Sequence, residues 1–235
     1  MTPSIRLHVT APLRAGAEIA ASPAQAHYLG SVMRRGAGDP VRLFNGVDGE
    51  WQARIAFLKR DRATLAPGQL LRPQAPESDL WLVFAPLKRD ATDLVAQKAT
   101  ELGAAALLPV FTERTNAGRV NTDRLAAIAI EAAEQCERLT VPRIEAPRQL
   151  GELLADWPDG RRLVVAVERE AGDPVPPLTG PTALLVGPEG GFTPAELDVL
   201  RRHPLVHPAT LGPRILRAET AAIVGLALLQ ARSGG

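Results

Sequence analysis

Two short segments combine residue types that suit chemistry with a spacing that suits a pocket. They are "LVGPEGGFTPAEL", Leu185 to Leu197, and "TLGPRILRAET", Thr210 to Thr220. Each follows an apolar run, carries glycine and proline, and leads into a helix start. Glycine lets backbone approach a ligand closely and proline stiffens the loop around it. In open α/β sheets, ligands sit beyond the carboxyl ends of strands, where such loops lie. One loop of this kind is ordinary turn punctuation. Two in one chain suggest backbone shaped to close on a compact ligand, with Glu189, Arg214, Arg217 and Glu219 as the charged groups at hand.

The familiar alternatives are missing. There is no G-x-x-x-x-G-K-S/T and hence no P-loop. Glycines 187, 190 and 191 do not make G-x-G-x-x-G, so the dinucleotide fingerprint is absent. No G-x-S-x-G elbow is present. His8, His27, His203 and His207 are scattered, and Pro204 and Pro208 break the helix on which the last two would share a face. No metal site is therefore expected. Cys136 stands alone, which rules out a disulfide framework and fits a reducing cytoplasm.

The elements around the loops come in two rhythms. "VRLFNGVDGEWQARIAFL" alternates at Val41, Leu43, Trp51, Ala53, Ile55 and Phe57, with Asn45-Gly46 and Asp48-Gly49 as turns. "SIRLHV" alternates likewise, and a helical turn is expected around "PAQAHYLGSVMRR". Short strands with glycine-rich turns predict a small β-barrel. The proline-bearing stretch Leu71–Asp79 reads as a linker, which gives domains over 1–72 and 73–235. Beyond it, strand and helix alternate. "LWLVFAPL", "AALLPV", "RLVVAV" and "TALLV" are apolar runs of the kind buried on both faces of a parallel sheet. Asp90 is expected to cap a helix that turns Leu94, Lys98 and Leu102 to one side and stops at Gly103. Thr122 is expected to cap an Ala-rich helix. Thr193, Pro194 and Glu196 spell a capping box.

Charge divides along the same line. Residues 1–72 hold 10 Lys and Arg against 5 Asp and Glu, a net of +5, whereas 73–235 carry −4. A basic small half suggests an anionic partner. At 46% hydrophobic and 23% charged the chain is globular, and aromatics at 4% leave the core to Ala, Leu and Val. The first ten residues lack the pattern of a secretory leader, and "AAIVGLALL" is too short to span a bilayer.

The two glycine loops, in this order and about twenty residues apart, resemble the bacterial 16S rRNA uridine-N3 methyltransferase family of the SPOUT, or α/β-knot, superfamily. "FAPLKRDATDLVAQKATELGAAALLPVFTERT", "IAIEAAEQCERLTVPRI", "LGPRILRAETAAIVGLALLQ" and "HYLGSVMRRGAGDPVRLFNGVDGEW" are similar to family blocks, so the likeness covers essentially the whole chain. Cys136-Glu137 departs from the small residue and Gly often seen there, and Ala218 from Thr. The resemblance implies a PUA-like β-barrel followed by a trefoil-knotted α/β methyltransferase domain. It further implies a homodimer that uses S-adenosylmethionine to methylate N3 of a uridine in the decoding region of 16S rRNA, in the small ribosomal subunit. The competing readings are a SPOUT enzyme acting on tRNA and a non-catalytic RNA-binding protein of the same fold.

Within that reading, the cofactor-binding residues are Val167, Val186, Gly187, Glu189, Gly190, Gly191, Leu211, Gly212, Ile215, Leu216 and Arg217. Neutral uracil N3 is a poor nucleophile, so transfer needs a base or a cation that stabilises the uracil anion. Arg217 is the candidate for the electrostatic role, with Glu189 and Glu219 the candidate bases. Arg34, Arg35, Lys59, Arg60, Lys88, Arg89 and Arg114 are the candidate phosphate contacts.

Overall fold

The computed structural model describes residues 5–167 and 173–231. The chain divides into two compact units, Met1–Pro76 with Ala133–Val141, and Glu77–Ala132 with Pro142–Gly235.

The first unit contains β1 (Arg6–His8), β2 (Ile19–Ala20), α1 (Pro23–His27) running into a π turn (Tyr28–Val32), β3 (Pro40–Phe44), β4 (Glu50–Lys59) and β5 (Arg62–Arg72). Its strands form one five-stranded sheet in the order β1-β3-β4-β5-β2, an open path and so a half-barrel. The alternation seen in the sequence becomes burial. Val41, Leu43, Ala53, Ile55 and Leu65 point into a core closed by Leu7, Leu29 and Ile19. Phe57 breaks the rule and is exposed. The cause is a register shift. Between Ile55↔Leu65 and Phe57↔Thr64, β4 advances two residues while β5 advances one, and a bulge of that kind turns the next side chain to the other face.

The second unit holds β6 (Leu80–Phe84), α2 (Arg89–Glu101), β7 (Ala106–Phe111), α3 (Thr122–Gln135), β8 (Arg143–Ile144), β9 (Arg148–Gln149), α4 (Leu150–Ala155), β10 (Arg162–Ala166), β11 (Asp173–Pro174), β12 (Thr182–Val186), α5 (Pro194–Arg202), β13 (Val206–Thr210) and α6 (Ala218–Ala231). The last turn of α3 belongs to the first unit. The sheet runs β11-β13-β10-β12-β6-β7-β8, with β9 beside β7, and its described pairings are all parallel. Both faces are covered, as the uninterrupted apolar runs require. Leu80, Leu82, Phe84, Leu184 and Val186 face one cluster with Val95 of α2 and Leu226 of α6. Their neighbours Val83, Ala183 and Leu185 face the other, with Leu153 of α4 and Leu200 of α5.

Two local expectations are corrected. Lys88, not Asp90, is the N-cap residue of α2, and the buried stripe is Thr92, Val95, Ala96, Ala99 and Thr100, with Leu94 exposed. Asn121 caps α3, its Oδ1 accepting from Arg124 N at 3.0 Å, while Thr122 is the first helical residue. "VHPAT" is strand β13, an element that the sequence did not announce, and Pro208 lies opposite Val165 of β10.

Candidate cofactor cleft and catalytic site

β12 and β13 flank β10, so three successive parallel strands deliver their carboxyl ends to one place. There the two glycine loops converge on a cleft of about 1330 Å³. It is lined by Val167 after β10, by Val186 to Phe192 after β12 and by Thr210 to Ala218 after β13. Apolar side chains such as Val186, Leu211, Ile215 and Leu216 supply its walls, and Ile215 is 55% exposed on the loop surface.

The glycines are required for different reasons. A Cβ on Gly187 would come within 3.0 Å of the Phe192 ring, so this position answers to a neighbouring side chain. Gly191 has φ +66 and open space around it, and Gly212 has φ +123. Those two answer to backbone conformation, which side chains in the left-handed region resist. The loop is closed by Gly191 N donating to Pro188 O at 2.8 Å.

α5 anchors this loop through the capping box visible in the sequence. Thr193 Oγ1 accepts from Glu196 N at 3.2 Å, and Glu196 Oε2 accepts from Thr193 N at 2.8 Å. The other carboxylate oxygen of Glu196 accepts from Glu113 N at 2.9 Å, in the turn after β7. Arg114, next along that turn, donates from Nη1 to Gly190 O at 2.9 Å and lies 3.5 Å from Phe192 O.

Arg217 occupies the N-cap position of α6, where its carbonyl accepts from Ala221 N at 2.8 Å. Its side chain lines the cleft, and among the described residues it has no ion-pair or hydrogen-bond partner. Lys88, Arg114, Arg214 and Arg217 all border the cleft, against Glu189 as its carboxylate. Excess positive charge at the mouth favours an anionic partner.

All eleven residues named above as cofactor contacts line this one cleft. Glu189 and Arg217 meet there. Glu219, half-buried in the first turn of α6, is not among the lining residues. Lys88 and Arg114 reach the cleft as well, and Arg89 is the first residue of α2. Arg34, Arg35, Lys59 and Arg60 lie in the first unit. There the π turn approaches β4, with Gly30 against Leu58, and Arg54 Nη1 donates to Gly38 O at 3.1 Å, so both basic pairs flank the outer half of β4. Arg35 is half-buried and its Nε has no partner among the described atoms. Phe192, Pro188 and Thr210 were missed as lining residues, although Phe192 directly follows "GPEGG". Among the described residues no group of three or more His, Cys, Asp or Glu gathers as a metal site, and no helix is long and apolar enough to cross a membrane.

A half-barrel of the PUA type, joined to a parallel α/β domain with glycine loops over the strand ends, defines an RNA methyltransferase. The RNA methyltransferase domain family matches residues 73–230, and the RNA methyltransferase PUA domain family matches residues 22–67. The chain is 34% identical over 229 residues to ribosomal RNA small subunit methyltransferase E of Rickettsia conorii, covering 94% of this chain and 93% of that one. The Bacillus subtilis protein of the same name is 29% identical over 222 residues, covering 87% and 86%. This chain therefore belongs to the ribosomal RNA small subunit methyltransferase E family. Two solved structures agree. A methyltransferase of Legionella pneumophila in complex with S-adenosylmethionine superposes with TM-score 0.88 at 30% identity over 100% of both chains. Ribosomal RNA small subunit methyltransferase E of Neisseria gonorrhoeae, also bound to S-adenosylmethionine, gives TM-score 0.87 at 28% identity over 98% of both.

Proposed function

We propose that this protein methylates N3 of a uridine in the decoding region of 16S rRNA, using S-adenosylmethionine, as a cytoplasmic homodimer. The observation that carries the reading is the convergence of both glycine loops, with Arg217 unpaired among the described residues, on one cleft. The cleft fits the cofactor by its chemistry. Apolar walls at Val186, Leu211, Ile215 and Leu216 suit adenine, loop backbone suits its polar edge, and Glu189 offers one negative charge to a sulfonium.

When bound, S-adenosylmethionine supplies an electrophilic methyl group for in-line transfer. This chain's residues must then make N3 a nucleophile. Glu189 is our candidate to take the N3 proton, and the Arg217 guanidinium our candidate to stabilise the negative charge that spreads over the uracil carbonyls as N3–H weakens. Glu219, in the first turn of α6, lies off the cleft lining and takes no part in the proton transfer. Lys88 and Arg214 at the rim, with Arg34, Lys59 and Arg60 on the first unit, supply phosphate contacts that position RNA. α6 supports the dimer. It is apolar on nearly every side, yet Ile223, Val224, Ala227 and Leu228 are only half-buried within one chain. A helix apolar all round calls for burial all round, and a second copy supplies it.

The test is incubation with labelled S-adenosylmethionine and small ribosomal subunits lacking the modification, followed by nucleoside analysis. Label in 3-methyluridine at one position is expected. Label in another nucleoside, or transfer to tRNA alone, would refute the assignment.

A further inference from the structure

Arg114 was read from sequence as a phosphate contact, but the structure gives it a different occupation. It sits on the tip of a closed turn. Thr115 N donates to Thr112 O at 3.1 Å, Thr112 N donates to Thr115 Oγ1 at 2.9 Å, and the two hydroxyls are 2.9 Å apart. Glu196 fastens that turn to α5 through Glu113 N. From this fixed base the Arg114 stem runs along Gly190, 3.5 Å from where a Cβ would stand. Its Nη1 donates to Gly190 O at 2.9 Å and approaches Phe192 O at 3.5 Å.

The peptide between Gly190 and Gly191 is thereby held at both ends. Its carbonyl accepts from Arg114 and its N–H donates to Pro188 O. A loop with glycines at 187, 190 and 191 has unusually many conformations to lose on binding. A charge-assisted bond that fixes its central peptide beforehand removes part of that cost.

We infer that Arg114 is a positioning residue for S-adenosylmethionine, a latch that holds the Pro188–Phe192 loop in its binding conformation. It acts through loop backbone and not on the reacting atoms. The inference rests on the methyl-transfer reading above, and the test separates the two.

Calorimetry with S-adenosylmethionine compares the full-length wild type with Arg114→Ala and Arg114→Lys, while RNA binding is followed against salt. Arg114→Ala is expected to weaken cofactor binding roughly tenfold, which corresponds to about 1.4 kcal/mol. Arg114→Lys should recover part of this, since an ammonium reaches one carbonyl but lacks the planar fork. Single-turnover methylation should fall roughly tenfold further at subsaturating than at saturating cofactor. Equal losses at both concentrations, or cofactor affinity unchanged with a flattened salt dependence of RNA binding, would overturn the latch and make Arg114 a phosphate contact. A lowered melting temperature with normal cofactor affinity would also overturn it. If the wild type itself binds no S-adenosylmethionine, the functional reading fails and takes the latch with it.

Discussion

Arg6 Nε donates to Glu50 Oε1 at 2.5 Å, and both side chains are almost wholly buried at 3% and 1% exposure. The other two nitrogens of Arg6 also donate. Nη1 donates to Ala133 O at 2.6 Å and Glu134 O at 3.0 Å, and Nη2 donates to Arg138 O at 2.8 Å. These carbonyls lie at the end of α3 and just beyond it, where a helix leaves acceptors without partners and its dipole favours a cation. Arg72 completes the group, donating from Nε to Glu50 Oε2 at 2.9 Å and from Nη2 to Glu137 O at 2.7 Å. This network is why Ala133–Val141 belongs to the first unit although 56 intervening residues, 77–132, belong to the second.

Removing one member strands the others. Glu50→Gln should cost about 3 kcal/mol, because two guanidiniums then lack a buried counter-charge. Urea unfolding at neutral pH checks this, and a change below about 1 kcal/mol would show that the pair is replaceable.

The same carboxylate sets an acid limit. Burial raises its pKa, but the hydrogen bonds and charges of Arg6 and Arg72 outweigh burial and hold it below the ordinary range. A depressed carboxylate contributes stability that is present above the unfolded value, about 4.3, and lost as pH falls through the folded one. His8 acts in a higher window. Burial lowers its pKa, so its contribution is full above about 6.5 and is lost as pH falls through its folded value. Unfolding free energy should therefore fall in two steps on acidification, and Glu50→Gln should shrink the lower step, which Asp48 shares through its bonds from Leu13 N and Asn45, while leaving the upper one unchanged.

Glu137 has φ +60 at a position where the family resemblance expects Gly. A side chain there costs roughly 1–2 kcal/mol, against which Arg42 offers only a distant pairing at 3.9 Å. Glu137→Gly should be neutral to stabilising by up to about 1 kcal/mol after the entropy of the unfolded chain is counted. A shift of the urea midpoint downward would show that the carboxylate matters more than the backbone.

Gly191 and Gly187 should fail in distinguishable ways. Gly191→Val meets open space but a left-handed backbone, so cofactor binding should be lost with the fold retained. Gly187→Ala meets the Phe192 ring, so Phe192→Leu should partly rescue it while leaving Gly191→Val unchanged. A double-mutant cycle in cofactor affinity, expected to show about 1 kcal/mol of coupling for the first pair, is the measurement.

Arg217→Ala should lower the single-turnover rate roughly 10²–10³-fold, the loss typical of one electrostatic donor, with a far smaller change in cofactor affinity. The deficit should shrink as pH rises, because more uridine is then already deprotonated. A mutant that loses rate and cofactor binding in equal proportion would make Arg217 a pocket wall.

RNA affinity should depend on the exposed charges flanking β4. Arg34→Glu and Arg60→Glu should each weaken RNA binding across sequences and flatten its salt dependence by roughly 0.7–0.9 per lost phosphate contact. Arg35, half-buried with Nε in the interior, is the poorer target despite its adjacency.

What the residues alone determined is what depends on near neighbours in the chain. The glycine loops, the Thr193–Glu196 capping box, the strands at "LWLVF" and "TALLV" and the turns at Asn45-Gly46 and Asp48-Gly49 are each written within a few positions, where backbone angle and apolar period speak directly. What only the tertiary structure decided needs a partner far along the chain. Arg6 meets Ala133 across 127 positions, and Arg114 meets Gly190 across 76. A lone arginine reads as surface charge until the carbonyls it faces are known. β13 was hidden for a related reason: Pro208 signals a break locally, and it is β10 alongside that makes the segment a strand. A near partner can be hidden as well, since Phe192 lies only a short loop from Gly187 and the path of that loop, not its residues, folds the ring back against it.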